Sequence, residues 1–410
     1  MFKKPLARRI IKLFVVVALL GIVGVGVLVG TLWIEHNSEV TLPPPTGPFA
    51  VGRSLHHWID ENTVDALAPV PATTRELLVW LWYPAEAGQS DEVMDDYVPA
   101  FIRAPTDRVG APLFRLLTRD RSKVHGHSLR DPGMSPRQRS YPVVILRAGA
   151  SSEVVNYSTL AEDLASHGYV VVGFDAPHRT RVVVFPDGRV IERTPDNNPE
   201  LFSGEELTRR ANKLLAAWTA DAAFVIDRLE QLNSSDASGK FTGRLDLLRV
   251  GIFGHSFGGA TAAQFCSQDS RCKAGIDIDG SLHGTVVQEG IHKPFLFLLS
   301  DHGDFSSNAE SRQIWADIRS VYDRLPADGR LLLTIRGANH FTFSDDGALL
   351  KSDLARRLLR LTGHLGIDGS RQLAITTYCV RSFFDTYLKG ANVPPLKIPS
   401  SLYPEIQVLE

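Results

Sequence analysis

Only three of the 410 residues are cysteine, too few for a disulfide scaffold, and no two stand at the CxxC spacing of a thiolate metal site. Basic runs are missing after the first dozen residues. With 44 Lys plus Arg against 46 Asp plus Glu, the formal charge is −2, which argues against nucleic acid as a partner. No Walker loop, HExxH or EF-hand pattern occurs. The glycine-rich GVGVLVG at residues 24–30 lies inside an apolar run with no strand before it, so it is not a dinucleotide loop. The chain therefore calls for no metal and no organic cofactor. Disorder is excluded as well: 44% of residues are hydrophobic and 22% charged, the balance of a folded chain with a sizeable core.

Charge is absent altogether from Leu13 to Ile34, a run of 22 residues. At about 1.5 Å per helical residue it spans roughly 33 Å, enough for a bilayer core. A cleaved signal peptide has a shorter apolar run and a small-x-small cleavage site, and none precedes Glu35. The expectation is a single-pass membrane anchor over residues 13–34. Lys3, Lys4, Arg8, Arg9 and Lys12 form a basic flank, residues 1–12, that stays in the cytoplasm. The rest of the chain then lies on the outer or periplasmic side. In such an oxidising compartment Cys266 and Cys272, six apart across the polar turn SQDSR, are candidates for a disulfide, with Cys379 an ordinary buried thiol.

After the anchor, TLPPPTGP (41–48) reads as a stiff spacer, and residues 35–72 as a proline-containing linker leading into the folded domain, 73–410. The first clear strand is ELLVWLWY (76–83). Residues 84–140 then mix polar loops with short helical patterns and contain no long apolar lid helix. From Tyr141 the apolar runs YPVVILRAG, YVVVGFDA, LRVGIFGHS, GIDIDG, KPFLFLLSD and LLLTIRG alternate with helical patterns, among them 158–167, 205–232 and a terminal helix near 378–388. Continuous β-rich runs separated by helices specify an α/β fold, a mostly parallel central sheet with helices on both faces.

The strongest local signal is Gly254-His255-Ser256-Phe257-Gly258, a GxSxG between an apolar strand and a helix. This is the context of a nucleophile elbow, a sharp strained turn that holds Ser256 at the top edge of the sheet. A serine hydroxyl is a poor nucleophile at neutral pH, so a base and an acid must follow in the order Ser, Asp or Glu, His. His340, in GANHFTF just past the last apolar run, is the histidine in that place. For the acid, Asp279 ends GIDIDG at the C-terminal edge, where open sheets carry their sites, while Asp301 and Asp304 follow the next strand; spacing alone does not choose. Asp277 and Asp279, two apart, should share one face of their strand. A tetrahedral intermediate also needs two backbone donors. Phe257, after the nucleophile, supplies one. Ala150, in the loop Arg147-Ala148-Gly149-Ala150-Ser151, supplies the other if Gly149 permits a tight turn.

The segments LLVWLWYPA (77–85), DLASHGYVVVGFDAPHR (163–179), GIFGHSFGGAT (251–261), GIDIDGS (275–281) and RGANHFTFSD (336–345) resemble the platelet-activating factor acetylhydrolase family, in its plasma and intracellular type II branch of the α/β-hydrolases. The resemblance runs over most of residues 48–390. It implies the α/β-hydrolase fold, places the acid on Asp279 in preference to Asp301 and Asp304, and maps the oxyanion donors onto Ala150 and Phe257. Where the family usually has His-Gly in the oxyanion loop, this chain has Ala148-Gly149. The function so implied is a serine esterase acting on short-chain or oxidised acyl esters derived from phospholipids, at the membrane and without a cofactor. The alternatives are a general carboxylesterase or polyester hydrolase on the same triad, and an inactive membrane-anchored pseudo-hydrolase.

Overall fold

The computed structural model describes residues 4–86, 88, 92–109, 118–303, 308–349, 366–392, 396–397 and 400–409. Asp304 lies outside them. The chain opens with α1 (Lys4–His36), whose apolar stretch Ile11–His36 is long and apolar enough to cross a membrane and is not buried against the rest of the protein.

The main sheet begins earlier than the first expected strand. β1 (Val40–Thr41) and a long β2 (Ala50–Val64) precede β3 (Thr74–Ala85), and β2 and β3 form an antiparallel hairpin. The proline-rich segment is thus a strap on the domain, not a free spacer. Val40 and Leu42 are buried, Thr46 N–H donates to Asp163 Oδ1 (2.9 Å), and Gly47 N–H donates to Ser166 Oγ (2.9 Å). Its prolines have no N–H to satisfy, so the strap can lie along the sheet edge at little cost in unpaired donors.

Within residues 84–140, β4 (Met94–Asp96) and β5 (Val124–Arg130) extend the sheet, with α2 (Ala100–Val109) between them in the chain. Then come β6 (Tyr141–Arg147), α3 (Ser158–Ser166) and β7 (Val170–Asp175), and a small separate ribbon of β8 (Val182–Val184) and β9 (Val190–Glu192). They are followed by α4 (Gly204–Ser234), β10 (Leu245–His255), α5 (Phe257–Gln268), β11 (Cys272–Ile278) and the short α6 (Val286–Glu289). The last elements are β12 (Phe295–Leu299), α7 (Ala309–Tyr322), β13 (Arg330–Ile335), the short α8 (Asp346–Leu349), α9 (Gly369–Lys389) and β14 (Ile406–Val408).

The sheet order is β1-β5-β2-β3-β7-β6-β10-β11-β12-β13-β14, and every pairing from β7 to β13 is parallel. Strand alternation divides the core into two layers. Leu78, Trp80 and Trp82 of β3 face the layer under α3 and α9, whereas Leu77, Val79, Leu81 and Tyr83 face the layer under α4, α5 and α7. The terminal helix is a good deal longer than its apolar pattern suggests, because Asp368 caps its start by accepting from Ser370 N–H (3.0 Å) and Gly390, with φ 62°, closes its end.

After β6 the chain steps to β7 on one side, and it later returns to β10 on the other. The reversal leaves a crevice at the C-terminal ends of β6 and β10, where open α/β sheets bind ligands. Beside it Arg179 is held between two buried carboxylates: Nη1 donates to Asp65 (2.6 and 2.8 Å), and Nε and Nη2 donate to Asp221 (2.8 Å each). This cluster ties the loop after β2 to the middle of α4.

Candidate active site

Ser256 sits between the last residue of β10 and the first of α5 with φ 56° and ψ −124°, outside the regions a non-glycine residue normally occupies. Two close approaches hold it there. A Cβ on Gly254 would come 2.1 Å from the Gly258 carbonyl oxygen, and one on Gly259 would come 1.8 Å from Asp277 Oδ1. The glycines are therefore sterically required, and Ser256 N–H donates to Ile278 O (2.8 Å), pinning the turn to β11. Ser256 and His340 line one cavity of about 580 Å³. They make no direct hydrogen bond, a common state of such pairs without substrate.

His340 begins a 3₁₀ turn, His340–Phe343, after β13, and its Nδ1 lies 2.7 Å from Asp279 Oδ2. Asp279 has left β11: its φ is 55°, so strict strand alternation does not orient it. Its buried carboxylate accepts from four donors. Ser300 N–H reaches Oδ1 and Ser300 Oγ reaches Oδ2, each at 2.8 Å; His302 Nε2 lies 2.6 Å from Oδ1, and His340 takes the remaining direction. Burial alone would raise this carboxyl, but the hydrogen bonds from His302 and His340 outweigh it and hold it well below the usual carboxylate range. Asp277 is the opposite case. Fully buried beneath the elbow, with Gly280 N–H on Oδ1 (2.8 Å), it is pushed well above the usual range by burial. Asp301 does not reach His340; its carboxylate accepts from Gly337 N–H (2.7 Å) and Gly303 N–H (3.3 Å) and closes its own loop.

The N–H groups of Ala150 and Phe257 have no hydrogen-bond partner among the described residues, and that of Phe257 is an unpaired donor of the first turn of α5. Gly149 is not needed for the reason the sequence suggests. Its φ is not in the left-handed region, and a Cβ there would make only ordinary contacts of 3.5 Å with His255 and Ser256. Two residues without a sequence signal brace this loop instead. Gly149 N–H donates to Tyr157 Oη (3.2 Å), and Tyr157 Oη lies 2.8 Å from His255 Nδ1. Burial raises the Tyr157 hydroxyl, so it keeps its proton. Burial, and after it the neighbouring His340, pushes His255 down to about 3. A neutral His255 packed on His340, ring centroids 4.6 Å apart, supports the site without competing for the serine proton.

The 84–140 segment, silent in sequence, supplies the other part of the cavity: Thr106, Asp107 and residues 118–121 line it together with His36 at the end of α1. His36 Nδ1 lies 2.6 Å from Thr118 O. Arg119 donates to Glu35 O (2.7 Å) and Ser38 O (3.2 Å) with Nη1, and to Leu349 O (3.0 Å) with Nε. Cys266 and Cys272 are disulfide-bonded, and Cys379 is free and buried.

A hydroxyl displayed at the crevice of such a sheet, beside a histidine on an ionised carboxylate, is equipped to attack a carbonyl, and the chain is a serine carboxylic-ester hydrolase of the α/β-hydrolase class. The family model for platelet-activating factor acetylhydrolase, isoform II, matches residues 34–185 and 222–391. The chain belongs to that family.

It is 28% identical over 402 residues to a probable 1-alkyl-2-acetylglycerophosphocholine esterase of Arthroderma benhamiae, covering 91% of this chain and 95% of that one. It is 25% identical over 384 residues to a platelet-activating factor acetylhydrolase of Cavia porcellus, covering 87% and 80%. Among solved structures, ferulic acid esterase from Streptomyces cinnamoneus matches with a TM-score of 0.73 and 26% identity, covering 91% of this chain and 100% of that one.

Proposed function

We propose that the enzyme cleaves short or oxidised acyl esters of phospholipids at a membrane surface, with Ser256 as nucleophile, His340 as base and Asp279 as the acid that orients it. Ser256 Oγ attacks the ester carbonyl while His340 Nε2 takes its proton. Asp279 Oδ2 fixes the imidazole tautomer through Nδ1 and stabilises the imidazolium. The N–H groups of Ala150 and Phe257 receive the oxyanion. The alcohol leaves with the proton from His340, and water, activated by the same histidine, releases the acid from the acyl-enzyme.

The observation that carries this reading is the pairing of His340 with an ionised, fully hydrogen-bonded Asp279 on the cavity that also displays Ser256. The lipid part rests on the relatives' names and on α1. The anchor's basic flank favours a cytoplasmic N-terminus, and the Cys266–Cys272 bridge suits an oxidising outer or periplasmic side. His36 lines the cavity, so its rim would lie where α1 leaves the bilayer. Phe341, 74% exposed at the same cavity, would meet lipid there. On this reading residues 1–12 are the cytoplasmic flank, 13–34 the anchor, and the catalytic domain starts near Val40.

The test is a series of acetyl, butyryl and palmitoyl esters, with Ser256→Ala as the null enzyme. kcat/KM should fall steeply with acyl length and vanish in Ser256→Ala, and removal of residues 1–34 should spare soluble esters while slowing vesicle-borne ones. A preference for palmitoyl esters would support the general carboxylesterase, which the ferulic acid esterase likeness favours as the second reading.

A further inference from the structure

Asp279 serves two imidazoles. His340 occupies Oδ2 and His302 occupies Oδ1, at 2.7 and 2.6 Å, with Ser300 completing the set through its N–H and hydroxyl. The second imidazole has no part in the proton relay from Ser256. We propose that His302 is a positioning residue: it locks the far oxygen of Asp279 so that the near one is presented to His340, and its own charge tempers the field His340 feels. This rests on the triad reading above.

The geometric half follows from the carboxylate's four acceptor directions, all of them filled. With its proton on Nε2, the tautomer an ionised carboxylate favours, His302 donates whether the ring is neutral or cationic, so the lock holds wherever Asp279 is ionised. Only the charge changes. The His302 side chain is 41% exposed and so exchanges its proton with water. The hydrogen bond to Asp279 raises its affinity for that proton above the ordinary histidine value, and Asp301 nearby adds to the effect. Among the described residues, the Ser300 hydroxyl lies 3.2 Å from Nε2, and His340 stands across the shared carboxylate.

A cation on His302 disfavours a second cation on His340, because the two share one negative charge. Activity should therefore persist to lower pH than a single histidine on the carboxylate would allow. Two charges on either side of one carboxylate in a partly exposed site interact enough to move the acidic limb by about half to one pH unit.

The experiment uses the full-length enzyme and a soluble acetyl ester, with kcat and KM measured from pH 4.5 to 9. In His302→Gln the amide Nε2 can still donate to Asp279, but no charge forms. Its plateau kcat should stay within about twofold of the parent, while the acidic limb of kcat/KM moves up by about half to one unit. In His302→Ala the lock is lost as well, and kcat should fall about tenfold with little change in KM. An unmoved limb in His302→Gln overturns the charge role. An unchanged kcat in His302→Ala, or an equal loss in both variants with no pH shift, overturns the positioning role. Ser256→Ala, assayed alongside, keeps the two readings apart: residual turnover there would overturn the triad itself.

Discussion

Two ion clusters lie near the crevice, and they are inverted copies of one another. In one, the guanidinium of Arg179 sits between the carboxylates of Asp65 and Asp221; in the other, the carboxylate of Asp279 sits between the imidazoles of His302 and His340. All three partners of the first are buried, and its cation does not release its proton in any working range. The outer partners of the second are histidines, part-exposed to solvent. The first cluster can therefore only hold parts together. The second can store a proton and return it.

The contrast is broken most severely by removing the charge at the centre of the reactive cluster. Asp279→Asn should lower kcat by about 10³–10⁴-fold, because the amide lets His340 take the wrong tautomer and leaves its imidazolium unsupported. Asp301→Asn should stay within severalfold of the parent, and steady-state kinetics on a soluble acetyl ester would compare the two. At the other cluster the loss should appear as stability. Arg179→Met leaves two buried carboxylates uncompensated and should cost about 3–5 kcal/mol in denaturant unfolding, while the fraction that remains folded keeps a near-parental kcat. A catalytic defect without destabilisation would show that the clusters are not divided in this way.

The smallest effect concerns pH and stability. Since folding raises the proton affinity of His302, its contribution is fully present below the unfolded histidine value of about 6.5 and is lost as pH rises through the higher folded one. The melting temperature should therefore fall more between pH 6 and 8.5 in the parent than in His302→Gln, by about a degree or two. Calorimetry at the two pH values measures the difference, and equal slopes would remove His302 from the stability account.

What was legible in the sequence was local or strictly ordered. The elbow is five consecutive residues with a strand before it and a helix after it, and the parallel sheet is written in runs buried on both faces. The helix 205–232 stands in the structure with only small shifts of its ends. Contacts between distant segments left no trace. Nothing in SDHGD distinguishes His302, which turns onto Asp279, from Asp301, which turns onto Gly337. Tyr157 meets His255 across 98 residues, and His36 meets Thr118 across 82. β2 was missed because its outer half, from Ile59 onward, is largely exposed and polar, so its pattern reads as loop.

The bridge between Cys266 and Cys272 joins the helix that follows Ser256 to the strand that delivers Asp279. The proposed nucleophile and acid thus lie in one local cassette of chain, on either side of the loop that the bridge closes. His340 comes from 61 residues beyond Asp279, on the far side of two further strands. On the proposed triad, this cassette can form first as the chain folds, but its serine stays an ordinary alcohol until β13 docks and brings the imidazole to it. On the same reading, the last parallel strand of the sheet is therefore also the part that arms the enzyme.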